Sequence, residues 1–330
     1  MRIHVTTVGE ASPAYVNQIR LLLHSFRRRS GFVGSAPFTV IFNGSGPGAA
    51  VEQELGGRFG ACVRVMPRIS FHCPTANRFN YLYAVSEDYD FLVNFDCDIV
   101  VLRTIEGLFE GLDAGQLGFA GTPATNYLVW NSAAMLRKYA RMTPWEVRAL
   151  YGDILHHFRP NYPQLEGGFR RAPFPYFCGG VYVMTRSTVE RIREDVVRNC
   201  HELSLYGRFG LGGRVVFELN RRLVRLIPRT PFTLGMHYQR IYSEMLGLAM
   251  ALLKHRVAMS VLDYRYNQYL KTPPAEGPAR VLHYTKRAYP LPREELLSWR
   301  WVEAYKNATH RPEAGELAGV IQDYLAEYGA

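Results

Sequence analysis

Asp90-Phe91-Leu92-Val93-Asn94-Phe95-Asp96-Cys97-Asp98-Ile99-Val100-Val101-Leu102 holds two carboxylates between two apolar runs. Asp90–Phe95 has the nearly continuous apolar character of a strand covered on both faces of a parallel sheet. On an extended chain residues i and i+2 point to one side, so Asp96 and Asp98 face the same way. At the carboxyl end of a parallel strand that direction is the crevice where open α/β sheets bind ligands. An isolated Asp-x-Asp is more often an acidic turn. Between two buried segments it needs a reason, because burying acids is costly. Paired oxygen ligands suit Mg²⁺ or Mn²⁺, and such a cation grips phosphate oxygens.

The surrounding pattern alternates strand and helix. Arg2–Val8 reads as a strand, followed by an amphipathic helix from Ala14 to about Arg28 that ends in the basic run Arg27-Arg28-Arg29. Pro37–Asn43 and Cys62–Met66 are further strands, and Thr75–Ser86 has helical spacing. The stretch Thr125–Arg170 reads as largely helical, Phe177–Met184 as a strand, and Ser187-Thr188-Val189-Glu190 as a capping box. Arg214–Leu223 reads as a helix, Ala258–Tyr264 and Arg280–Tyr284 as late strands, and residues 292–330 as two closing helices. This order predicts an α/β fold with a Rossmann-like, mostly parallel central sheet flanked by helices. No internal repeat and no long linker interrupts it, so one continuous unit is expected.

Two further segments carry chemistry. Tyr176-Phe177-Cys178-Gly179-Gly180-Val181 brings a glycine pair into an apolar strand, which suits either close approach by another group or a tight turn. Leu282-His283-Tyr284-Thr285-Lys286 ends an apolar run in a histidine with a lysine beyond it. A neutral imidazole can complete a metal site begun by two carboxylates, and an ammonium can neutralise a phosphate. Alone, such a histidine is more often a satisfied core residue.

With 330 residues the chain can bury a large core and needs no disulfide or metal staple to fold. Its 48% hydrophobic and 21% charged residues exclude disordered, collagenous and coiled-coil classes. The net charge is +10, and only five of the 39 basic residues are lysines. The arginine excess favours anionic ligands, although genomic base composition accounts for it equally well. Five cysteines without metal or disulfide spacing fit a reducing cytoplasm. The N-terminus reads straight into a strand rather than a signal peptide, and the longest apolar run, Met245 to Leu253, is too short to span a bilayer. A soluble, cytoplasmic protein with room for peripheral membrane contact is therefore expected.

Taken in order, the three segments resemble the GT-A glycosyltransferases, most closely the glycogenin and lipopolysaccharide galactosyltransferase family. There an Asp-x-Asp ends a hydrophobic strand, a small-residue loop follows, and a Tyr-Asn or Trp-Asn pair precedes a strand-ending histidine. Asp96-Cys97-Asp98, Cys178-Gly179-Gly180, Tyr266-Asn267 and His283 take those places. The resemblance implies Asp96, Asp98 and His283 as ligands of Mn²⁺ or Mg²⁺. It implies Thr6, Thr7, Tyr15, Asn77, Arg78 and Lys286 as contacts of a nucleotide-sugar donor, with Tyr15 against a uracil. It implies Cys178, Gly179, Gly180 and Glu218 on the catalytic side. The sequence departs from the family at three points: Cys178 replaces an asparagine, Glu218 is the only carboxylate where an Asp-Gln pair belongs, and Lys286 follows His283 by three residues rather than six.

The resemblance spans roughly residues 2 to 290. It divides the chain into a GT-A domain (1–290), with a nucleotide-binding half (1–103) and an acceptor and catalytic half (104–290), and a C-terminal helical extension (291–330). The implied activity moves a sugar, with retention, from a nucleotide-diphosphate sugar to a carbohydrate, lipid-linked or small-molecule acceptor. A sugar-phosphate nucleotidyltransferase is the rival enzyme, but Val8-Gly9-Glu10-Ala11-Ser12 lacks its Gly-rich, Arg-containing loop. A basic polyanion-binding protein is the rival outside enzymes. Scattered arginines and no nucleic-acid module argue against it and against nucleic acid as a partner. No motif speaks to oligomeric state.

Overall fold

Strands β1 (Ile3–Gly9), β2 (Phe38–Asn43), β3 (Ala61–Met66) and β4 (Phe91–Asp96) form the parallel half of a seven-stranded sheet of order β3-β2-β1-β4-β7-β6-β8. The sheet is completed by β6 (Gly118–Pro123), β7 (Phe177–Thr185) and β8 (Ala258–Val261). Only β7 runs against the others, antiparallel to both β4 and β6, while β6 and β8 pair parallel. A second sheet joins β5 (Ile99–Val101), β10 (Val281–His283) and β9 (Gln268–Tyr269) in the order β5-β10-β9. The computed structural model describes residues 1–70, 74–123, 177–203, 257–270, 277–284, 290–308 and 312–329, with part of 244–255.

Helices cover both faces, as a parallel sheet of such apolar strands requires. Among the described residues the helices include α1 (Pro13–Arg29), α2 (Ala49–Phe59), α3 (Tyr81–Ala84), α4 (Arg186–Leu203), α5 (Trp299–Ala308) and α6 (Pro312–Tyr328). On one face Ile19, Leu22, Leu23 and Phe26 of α1 join Val93 and Phe95 of β4 with Trp301, Leu317 and Tyr324 of α5 and α6. On the other, Leu92, Phe119 and Tyr182 meet Phe79, Ile192, Val196 and Leu248. Pro13 opens α1 where its missing N–H costs nothing, and Arg27, Arg28 and Arg29 close it beside the negative end of its dipole. Arg28 and Arg29 also pair with Glu327 and Asp323 of α6. Exposed pairs of this kind contribute little, so the buried contact of His24 with Tyr324 and Tyr328 does more to seat the C-terminal helix.

The mixed α/β class and the mostly parallel sheet are as the sequence pattern predicts. β6 and β9 are not foreseen, and α4 begins at Arg186, so Ser187 lies inside the helix rather than capping it; one expected helix also differs in kind. Thr75–Ser86 is not a continuous helix but a 3₁₀ turn, Pro74–Asn80, followed by the single helical turn of α3. Asn77 explains the break: its side chain is buried and bonds both the N–H and the carbonyl of Ser70, which fixes this segment to the loop before it. The helices expected at 125–170 and 214–223 lie outside the described residues.

Strand order reverses between β1 and β4, so the carboxyl ends of these two strands open at a topological switch point. Val8 of β1 registers with Asp96 of β4 there. Because β7 is antiparallel, its first residues lie at the same edge as the last residues of β4. Pro123 at the end of β6 registers with Phe177 at the start of β7, beside this edge.

Candidate functional site

Asp96 is the last residue of β4, and Asp98 lies in the turn into β5. Between them Cys97 points the other way, into the core shared with α1, where its thiol reaches Gln18 at 3.6 Å. The alternation expected of an extended chain is therefore kept, and both carboxylates project on the opposite side. The second sheet brings the third group. β10 pairs antiparallel with β5, with His283 in register with Ile99, and Tyr284 N–H donates to the Asp98 carbonyl at 3.0 Å. These bonds hold the imidazole against the carboxylate pair.

His283 Nε2 lies 3.1 Å from Asp98 Oδ1 and 3.9 Å from Asp96 Oδ2. One ligand atom from each of Asp96, Asp98 and His283 falls within 4.8 Å of the others, the only such cluster among the described residues. The imidazole is buried and oriented from behind. Its Nδ1 donates to the Asn267 amide oxygen at 3.0 Å, so Nε2 faces the carboxylates. The Tyr269 ring stacks on it at 4.6 Å between centroids.

The charges balance through neighbours. Burial disfavours a charged His283, but the Asp98 carboxylate outweighs burial and pushes the imidazole up to about 10. Burial likewise opposes charge on Asp98, yet His283 holds its carboxyl below the usual range. Burial and the negative charge of Asp98 push Asp96 up, against the pull of Arg78. Arg78 binds Asp96 Oδ1 directly, leaving Oδ2 turned toward His283.

The glycine pair has a steric explanation. Both residues lie inside β7, and neither has a positive φ, so they form no turn. A side chain at Gly179 would strike the Arg78 guanidinium, and one at Gly180 would strike Asn267 and the His283 ring. Their absence lets both groups reach the carboxylates across β7. Cys178 beside them shares a hydrogen bond with the Tyr269 hydroxyl. Burial alone would raise this thiol, but the adjacent His283 and Tyr269 draw it down.

The remaining candidates are scattered more widely. Thr6 is buried in β1, donating to Val93 O and Asn94 Oδ1 at 3.2 Å each. Thr7 is also fully buried. Both polar atoms of Asn77 are engaged with Ser70. Tyr15 is half-buried on α1 against Gly9 at the end of β1. Burial, then Cys97, raises its hydroxyl, and Asp98 adds to this, so the ring stands near the carboxylate turn. Glu218 and Lys286 lie outside the described residues.

Two side chains in the site have no role assigned by the sequence reading. Asn267 enters that reading only through resemblance, and the structure gives it the work of orienting His283. Glu244 does not enter it at all. It is buried against Arg78, with Oε1 3.9 Å from Nη1, and burial pushes its carboxyl up to about 7 despite that cation. An acid directly before the apolar run 245–253 was the available signal.

Glu244 makes stability pH-dependent in a definite direction. Its folded value lies above the ordinary 4.5, so its contribution is complete below 4.5 and is lost as the pH rises through about 7. Glu244→Gln keeps the shape and removes the titration. The variant's melting temperature relative to the parent should therefore rise between pH 5 and pH 8. Parallel curves over that range would exclude Glu244 as the responsible group.

Among the described residues no helix is long and apolar enough to cross a membrane. No protein-family model matches the chain, and no curated protein matches its sequence. A solved structure, the apo form of mouse xyloside xylosyltransferase 1, is similar at 14% identity and a TM-score of 0.45, over 88% of this chain and 99% of that one.

Proposed function

We propose that this chain is a glycosyltransferase of the GT-A type, resembling the glycogenin and lipopolysaccharide galactosyltransferase family, that uses a nucleotide-diphosphate sugar and a divalent cation. The observation that carries the reading is the convergence of Asp96, Asp98 and His283 at the switch point of the sheet. Two carboxylate oxygens and an imidazole nitrogen form a donor set suited to Mn²⁺ or Mg²⁺. When bound, such a cation supplies positive charge where a departing nucleoside diphosphate gathers negative charge.

The chain's own residues do the rest. Arg78 fixes one oxygen of Asp96 and carries positive charge beside it. Asn267 sets the ring of His283 so that Nε2 faces the carboxylates. Gly179 and Gly180 keep the β7 edge thin enough for both. A uridine nucleotide as donor, retention of configuration, Glu218 on the catalytic side and Lys286 at the diphosphate follow from the family resemblance. The acceptor is a carbohydrate, lipid-linked or small-molecule hydroxyl.

Calorimetry of uridine diphosphate with Mn²⁺ and with chelator tests this reading. Binding should be tight only with the cation, because the two carboxylates alone repel the diphosphate. Equal affinity in both conditions would remove the cation from the function. A screen of nucleotide sugars by thermal shift would name the donor, since a ligand at about 100 times its dissociation constant adds about 2.7 kcal/mol. Asn267→Ala should weaken Mn²⁺ binding by roughly 10–100-fold, the range for losing the outer partner of a metal-ligating imidazole. Unchanged Mn²⁺ affinity in that variant would show that His283 needs no such support.

A further inference from the structure

Arg78 stands between two carboxylates that come from different parts of the fold. It leaves the 3₁₀ turn Pro74–Asn80, and its Nη2 binds Asp96 Oδ1 at the end of β4. Its Nη1 lies 3.9 Å from Glu244 Oε1. A guanidinium is a planar fork, so turning one arm to each acid fixes its position as well as its charge. The β7 backbone passes beside it at Gly179, where a Cβ would clash with both arms.

Glu244 is set in place by helix packing. Glu244, Gly247 and Leu248 are helical, and residues three and four apart on a helix share a face. That face meets α4 closely. A Cβ at Gly247 would come 2.7 Å from Cys200 Sγ, and the Asn199 amide donates to the Gly247 carbonyl at 3.1 Å. The missing side chain lets the helices approach, and Glu244 lies against Arg78 one turn earlier. Glu244 is only 4% exposed; Oε1 turns to Arg78, and Oε2 is buried without a hydrogen-bond partner. A buried acid here costs stability that an apolar side chain would not, which points to a use for its charge.

The charge balance around Asp96 gives that use. With Glu244 neutral, the whole guanidinium charge faces Asp96 and opposes a second cation there. With Glu244 ionised, the guanidinium is balanced from behind, and Asp96 keeps its negative charge. Burial pushes the Glu244 carboxyl up to about 7, so the change between these conditions falls in the neutral range. Among the described residues, Arg78 and Asp96 are the charged groups that act on Glu244. Tyr81 of α3 and Tyr182 of β7 also lie near Arg78, and burial raises both hydroxyls, which keeps them neutral.

We propose that Glu244 is a positioning residue of the candidate cation site, acting through Arg78 to keep Asp96 charged and available to a divalent cation. The proposal rests on reading Asp96, Asp98 and His283 as that site. It gives the helix packed on α4 at Gly247 a part in cation binding, although none of its described residues joins the ligand cluster.

The test measures Mn²⁺ affinity by calorimetry at pH 6 and pH 8, with melting curves in chelator. It compares the parent chain with Glu244→Gln, Arg78→Gln and the double variant. Glu244→Gln should match the parent at pH 6 and bind about tenfold more weakly at pH 8, the lower end of the range for losing an outer partner of a metal ligand. In the Arg78→Gln background the same change should alter nothing, because burial without the guanidinium keeps Glu244 neutral. Glu244→Asp keeps the charge and should recover most of the affinity at pH 8. Glu244→Leu removes the charge without burying an amide, and it takes the place of the glutamine variant if that does not fold. An equal loss at both pH values, or a loss that persists without Arg78, would overturn the proposal. Unchanged Mn²⁺ affinity with a lowered melting temperature would make Glu244 structural, which also overturns it. A parent chain that binds no Mn²⁺ at either pH overturns the cation-site reading itself, and this proposal with it.

Discussion

Asp98→Asn is expected to abolish cation-dependent nucleotide binding and to lower transfer by roughly 10²–10³-fold or more, as when an electrostatic group at a reacting centre is removed. The amide keeps the size of the carboxyl and loses its charge. The fold should survive, for two reasons. The Asp98 backbone carbonyl still accepts from Tyr284 N–H, and the register of His283 with Ile99 does not depend on the side chain. Without Asp98 the buried imidazole can also shed the proton that the carboxylate stabilises, so no unpaired buried charge is left behind. Melting curves in chelator and Mn²⁺ calorimetry together decide the outcome. A drop of roughly 10 °C or more in chelator, with Mn²⁺ affinity intact, would mark Asp98 as structural.

Gly180→Ala should be strongly damaging for the change of a single methyl. The new Cβ would run into Asn267 Oδ1 and His283 Nδ1, two atoms joined to each other by a hydrogen bond in a fully enclosed place. Neither is the free end of a long chain, so neither can swing away. Overpacking at such a point costs roughly 1–3 kcal/mol. The displaced imidazole should cost more Mn²⁺ affinity than Asn267→Ala does. Gly179→Ala makes a useful contrast, because its Cβ meets the tip of Arg78, which can bend. That variant should unfold at nearly the parent's denaturant midpoint while losing nucleotide affinity. Equal Mn²⁺ affinity in the parent and Gly180→Ala would show that the ring does not need its present place.

The site was most legible where chemistry and periodicity agree. Asp96 and Asp98 could be placed from their spacing on a buried strand, because the pleat dictates that alternate residues share a face. His283 was legible only as the end of an apolar run. Its meeting with the carboxylates depends on β10 pairing with β5 across more than 180 residues of sequence, which no local pattern encodes. Gly179 and Gly180 signalled close approach but not by what, since the answer, Arg78 and Asn267, lies on distant elements. The failed helix at Thr75–Ser86 has the opposite lesson. Its helical spacing was real, but the tie from Asn77 to Ser70 overrode it. Glu244 stayed hidden because a single acid beside an apolar run reads as a surface residue until a partner such as Arg78 is placed against it.

The pairing of Pro123 with Phe177 has a consequence for how this protein can change over time. The chain leaves the sheet at the end of β6 and re-enters at the start of β7, on two neighbouring strands and next to the carboxylates. Whatever joins those points is bounded by a fixed, short gap, and lengthening such a connection costs only about 0.6 kcal/mol per doubling. A change in the length of chain between Pro123 and Phe177 therefore costs little while the register of β6 with β7 is kept. The seven-stranded sheet, with Asp96 at the end of β4 beside that gap, is the part that stays put.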